Sequence, residues 1–201
     1  MRFRPAGSRL ARPVHARLRR FGTDEDGLVM TEFLILLPLL IWAFIALFIF
    51  WDAFRTINQA QKASYAVSDL LSRQRGDVTL SFVNGMDNVM EMLVPNATDP
   101  RLLVTSVEWD PDNDRHWVLF SRSPGNRMRQ LATADIRDLR PRIPEMSDHD
   151  SVIIVQTEVD YRPIFDVGIN SGTFTNFIVT RPRFYRRICL VESMATCPAT
   201  M

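Results

Sequence analysis

The feature that most constrains this chain is a stretch without charge, from Phe33 to Trp51, inside the segment GLVMTEFLILLPLLIWAFIALFIFW that opens at Gly27. At about 1.5 Å of rise per residue a helix of that length is roughly 28 Å long, close to the hydrocarbon thickness of a bilayer. One acid, Glu32, stands at its leading edge, five residues after Gly27. An uncompensated carboxylate costs on the order of 2.5–3.5 kcal/mol at the centre of a membrane helix, and less near an interface. Something has to offset that cost. Pro38 lies within the same run; it removes one backbone hydrogen bond and predicts a kink or local loosening, which membrane helices tolerate better than soluble ones.

The run reads as a retained span rather than a cleaved secretory signal. A signal has an apolar core of about 7–15 residues followed by small residues at the cut. Here the run is longer and leaves through Phe48, Ile49, Phe50 and Trp51, all bulky. The charge distribution gives the expected orientation. Arg2, Arg4, Arg9, Arg12, Arg17, Arg19 and Arg20 crowd the start with no acid among them, whereas Asp52 and a single Arg55 follow the span. The positive-inside rule then places the N-terminus in the cytoplasm and the long C-terminal part across the membrane. A basic arm also suits nucleic acid, but beside a span it reads as the orientation signal, and no nucleic-acid partner is expected. If the C-terminal end is extracytoplasmic, its oxidising surroundings favour a disulfide between Cys189 and Cys197, contributing about 2–3 kcal/mol; two unpaired thiols are the alternative.

Gly27-Leu28-Val29-Met30-Thr31-Glu32-Phe33, followed by an apolar helix containing Pro38, resembles the processing site of type IV pilin-like proteins. Within that group it is similar to the TadE-like pseudopilins of the Tad (tight adherence, Flp pilus) system. The acids Asp24, Glu25 and Asp26 before the glycine suit the same resemblance, while Met30 and Thr31 stand where the family often has small residues. A later segment, Val159 to Phe165, looks like an extended stretch common late in TadE-like domains. The resemblance implies that a prepilin peptidase cuts between Gly27 and Leu28, leaving Glu32 as fifth residue and Phe33 after it. It also implies a bacterial inner-membrane protein, single-pass, with a periplasmic C-terminal domain. Its partners would be other Tad pilus or pseudopilin subunits, the inner-membrane platform and the lipid bilayer. Independently of the name, such a cut exposes the α-amino group of Leu28, cationic below about pH 8. Glu32, one helical turn away or on a neighbouring subunit, would neutralise it and set subunit register; breaking a buried pair of this kind costs about 3–5 kcal/mol. The alternative is a Glu32 that lies at headgroup depth and stays wet.

Beyond the span the helical period continues through Ala53, Ile57, Ala60, Ser64, Val67 and Leu71, predicting one helix from about Leu28 to Gln74 that Gly76 ends. The expected divisions are a leader over 1–27, a membrane helix over 28–52, a soluble stem over 53–75 and a domain over 76–201. In that domain Phe82, Val83, Met86, Val89, Met90 and Leu93 predict a second helix, stopped by Pro95. Arg101 to Trp109 and His116 to Arg122 predict strands joined at the turn-rich Asp110-Pro111-Asp112-Asn113-Asp114. Gly125 to Leu139 reads as a weak helix, and Ser151 to Tyr161 and Thr173 to Arg187 as strands, the last ending in a basic cluster. The sum is an α+β, pilin-like fold: a long N-terminal helix packed on a small antiparallel sheet.

No nucleophile elbow, metalloprotease helix, phosphate-binding loop or glycine-rich nucleotide turn occurs, and the Asp110–Asp114 turn lacks the glycine and glutamate of a calcium loop. No enzyme activity, cofactor or metal is expected. A membrane-anchored, uncleaved extracytoplasmic binding or sensor module is the competing function, and a domain released from its signal is a third.

Overall fold

The computed structural model describes residues 28–95 and 97–192; the expected leader, with Gly27, and Cys197 lie outside them. The long helix α1 (Leu28–Ser72) comes first. Helix α2 (Leu80–Leu93), strands β1 (Thr98–Asp110) and β2 (Arg115–Arg122), a short helix α3 (Ile136–Leu139), and strands β3 (Ser151–Tyr161) and β4 (Gly172–Thr180) follow. The chain divides into two compact units, one ending at Phe48 and the other starting at Ile49. The first unit's described part is apolar helix. The second holds the rest of α1 and the whole sheet.

The four strands are ordered β2-β1-β3-β4, all antiparallel. Both faces of the sheet are covered, which is why Val152, Ile153, Ile154 and Val155 run apolar without alternation. On one face Leu102, Val104, Ile153, Val155 and Val159 join the core formed with Ala60, Ala63, Val67 and Leu71 of α1 and Val83, Met86 and Met90 of α2. On the other, Val107, Val152 and Ile154 pack with Ile136 and Ile143. A register shift between Ser106 and Val107 leaves Leu119 as an extra residue on β2. This bulge lets Leu119 and Phe120 both enter the α1-side core.

Helix α1 ends within two residues of its expected limit. The Arg73 guanidinium reaches back to Asp69 (2.8 Å), and the chain turns at Gly76, whose φ of +140° suits only glycine. Thr79 then caps α2 by accepting from the Phe82 N–H (3.2 Å). Leu93, expected inward, is partly exposed, and Val94 is buried in its place.

Two expectations are corrected. Residues 125–139 form no single helix. Gly125 and Asn126 both have left-handed φ, and the segment instead runs as a strap along the outer strand β2. Ser121 Oγ accepts from the Leu131 N–H (2.9 Å), and Thr133 Oγ1 from the Val118 N–H (3.2 Å). The strap thereby covers an edge that would otherwise be open. The last strand also stops at Thr180, before Pro182, which has no N–H to give a ladder. The basic cluster after it is spent on ion pairs: Arg183 with Asp69 (2.8 Å), Arg186 with Asp150 (3.3 Å) and Arg187 with Glu108 (3.1 Å). Residues 188–190 then cross the core. Val78 bonds the Cys189 carbonyl (2.9 Å) and receives the Val191 N–H (2.9 Å), while the Glu192 carboxylate takes the Leu80 N–H at the start of α2 (3.1 Å).

The small residues of the stem stripe are buried in the core shared with the sheet. Ala60 is fully buried, whereas Gln61 beside it is exposed. Ala60→Leu overpacks this contact and should destabilise the fold by about 1–3 kcal/mol. Gln61→Leu should change stability by less than about 0.5 kcal/mol. Urea titration in mild detergent, followed by tryptophan fluorescence, compares the two.

Candidate functional site

The site with functional content is the long helix, which changes its surroundings along its length. Its N-terminal part is uncovered: Leu34 and Ile35 are each 73% exposed and Phe44 is 71% exposed. Among the described residues this helix is long and apolar enough to cross a membrane. Leu28 and Glu32 are both helical and four residues apart, one turn of the same face. Glu32 is exposed, and no ion pair holds it among the described residues. Phe33 beside it is also exposed. The helix runs through Pro38, whose ring leaves the Leu34 carbonyl without its usual donor. At the end of the charge-free run the Arg55 guanidinium lies over the Trp51 ring, 5.4 Å from its centroid.

From Ile49 onward the helix is covered on one side and tied to β3 by polar contacts. The Tyr161 hydroxyl donates to the Ile49 carbonyl (3.3 Å) and lies 3.4 Å from the Asp52 carboxylate. Its ring stacks on Phe174 at 5.7 Å. Burial first, and then the Asp52 charge, push the phenol above its ordinary pKa, so it stays a donor. Farther along, Ser64 donates to the Ala60 carbonyl (2.6 Å) and shares a bond with Thr157 (2.7 Å), to which Asn176 donates (3.3 Å). With the Ser64 proton directed at Ala60, Thr157 is the donor to Ser64. This buried ladder fixes the helix on the sheet.

Sequence periodicity finds Ser64 and Tyr161 as members of a helix and a strand. It carries no sign of these ties, which join positions 93 and 112 residues apart. The cysteine reading divides: Cys189 is buried and disulfide-bonded, and Cys197 lies outside the described residues.

A cleft of about 440 Å³ lies at the β1–β2 turn and includes Asp114, His116, Arg137 and Arg140. Its charges answer one another: Arg140 pairs with Asp114 (3.0 Å) and lies over Trp109 at 5.3 Å, while Asp110 accepts from Asn113 (2.8 Å). Asp110 and Asp114 are thus engaged in the turn and in ion pairs. No group of three metal-ligating side chains converges among the described residues. His116 packs edge-on against Trp109 at 4.9 Å; burial, and then Arg140, hold its pKa below the usual histidine value. The cleft offers a cationic lining but no nucleophile paired with a base.

Two outcomes follow from these contacts. Tyr161→Phe removes the hydroxyl tie and should cost about 0.5–1.5 kcal/mol of stability, read by urea titration. For His116 the folded state favours neutral imidazole, so the unfolded chain takes up the proton first as pH falls. Stability should be level above about pH 6.5 and decline below it until the lowered folded pKa is passed. His116→Phe should flatten that decline, measured as denaturation midpoint against pH. Set against protein-family models, curated proteins and solved structures, the chain matches none.

Proposed function

We propose that this chain is a pseudopilin-like structural component for assembly of a Tad/Flp-type pilus or secretion machine, processed by a prepilin peptidase after Gly27. The observation that carries the reading is a single helix with two environments: apolar and uncovered at its N-terminal end, buried on a sheet at the other, with a lone carboxylate, Glu32, at the apolar edge. A helix surface of large exposed apolar residues is suited to lipid and to lateral packing against like helices. Glu32 has no cation in its own described chain, so the α-amino group freed at Leu28, here or on a neighbour, is its natural partner. The arginine-rich start orients the domain outward, and the disulfide at Cys189 accords with an oxidising periplasm. Subunits of the same machine, its inner-membrane platform and the bilayer are the partners of this reading; catalysis has no part in it.

The test is the N-terminal residue and mass of the chain recovered from membranes of cells with an active prepilin peptidase. A start at Leu28 is expected. An intact start at Met1, with a control substrate cleaved, would instead favour an uncleaved membrane-anchored binding or sensor module. Glu32→Leu should leave membrane insertion intact while reducing incorporation into assembled complexes at least tenfold, the effect of losing about 1.4 kcal/mol or more, measured by co-purification with wild-type chain.

A further inference from the structure

The ties between β3 and α1 have a consequence for the loop after β3. Strand and helix run antiparallel: Thr157 meets Ser64, and four residues later Tyr161 meets Asp52 and Ile49. The chain therefore leaves β3 at the end of the sheet where the helix's charge-free run stops. Asp52 is the first charge after that run and Trp51 its last apolar residue.

Four large apolar side chains stay exposed on the two segments that flank this tie, the helix before Asp52 and the loop after Tyr161. Phe50 is 42% and Trp51 55% exposed on the helix, and Ile164 is 77% and Phe165 57% exposed on the loop. The loop is built to hold its pair out. Its apolar residues are adjacent in sequence, Pro163 stiffens the approach, and Gly168 turns the chain at φ +98° while donating its N–H to Asp166 (3.4 Å). Arg162, just before the pair, is exposed and has no carboxylate partner among the described residues. An arginine, a proline and two bare apolar residues on the loop after that tie have the composition of a membrane–water interface, as does a tryptophan at the end of an apolar helix.

We propose that the β3–β4 loop is a second membrane contact: Ile164 and Phe165 enter the interfacial layer of a phospholipid bilayer, at the surface marked by Trp51, and Arg162 meets headgroup phosphate. The proposal rests on the reading of α1 as a membrane span. Two separated contacts restrain a domain about the helix axis, where one would let it swivel. The loop thus fixes which face of the sheet domain is offered to neighbouring subunits.

Nitroxide labels test this in the full chain, reconstituted at one copy per nanodisc of phosphatidylethanolamine and phosphatidylglycerol. The labelled sites are Ile164→Cys, Asp112→Cys in the turn at the far end of β1, and Phe44→Cys within the apolar run. Cys189 is already in a disulfide, and the unsubstituted chain gives the labelling background. Collision rates with oxygen, which concentrates in lipid, and with a neutral nickel chelate, which stays in water, are compared. The expected result is an oxygen-to-nickel ratio at Ile164 several-fold above that at Asp112 and below that at Phe44. A ratio at Ile164 equal to that at Asp112, with Phe44 reporting lipid, overturns the loop contact and leaves the span intact. Water-like values at all three sites would sink the span and the loop contact together. A label at Ile164 shielded from both reagents would point to protein contact and also reject the proposal.

Discussion

The structure depends on the packing of one helix on one sheet. Ala53, Ala60, Ala63 and Ser64 give α1 a face with almost no side-chain height, and Val67 and Leu71 widen it only near its end. Against such a face the volume is filled by Leu102, Val104, Ile153 and Val155 from the sheet side. Burial of that apolar surface is the main stabilising contribution. The hydroxyl ladder adds selectivity: a slip of one helical turn would break the Ser64–Thr157 bond and leave the Thr157 hydroxyl proton without its acceptor in a dry core, which costs more than the bond contributes when made.

Around this contact the domain closes by covering its own exposed backbone. The 127–133 segment shields β2 by side-chain acceptors rather than as another strand, and the C-terminal segment returns to bond Val78 and the start of α2. The arginines after β4 do similar work electrostatically. Arg183 joins the chain to Asp69 of the stem, and Arg187 meets Glu108, with both side chains of that pair largely buried. A largely buried pair of this kind is a constraint on arrangement more than a source of stability.

The opposite end of α1 follows a different rule. From Val29 to Phe44 its large apolar side chains are exposed, and a surface of that composition has no stable place in water. One continuous helix therefore carries two solvents' worth of sequence, with the change between them near Trp51 and Asp52. The Tyr161 hydroxyl, held protonated by burial and by Asp52, sits at that change. It is the polar tie nearest the apolar run, and it aims the following loop. The proposed assembly role and the proposed lipid contact both draw on this one junction.

Much of this organisation was legible in the sequence. The apolar run, the stem stripe from Ala53 to Leu71, the α2 period, the hairpin about Asp110–Asp114 and the strand Ser151–Tyr161 all follow from periodicity and turn residues, because each is decided by local geometry and by which face is apolar. Glu32 also stood out by composition alone, as the one acid against an apolar helix. The segments misread were those whose backbone is satisfied by distant side chains. A modest apolar period over 125–139 resembles a helix, yet β2, through Ser121 and the Val118 N–H, holds it as a strap. A basic, aromatic end to β4 resembles a longer strand, yet Pro182 stops the ladder and carboxylates far away in sequence take the arginines. Strand order and the Ser64–Thr157 and Tyr161–Ile49 ties were decided only in the tertiary structure. Such contacts depend on which surfaces meet across 90 or more residues, whereas the pattern along the chain records only which side of each element avoids water.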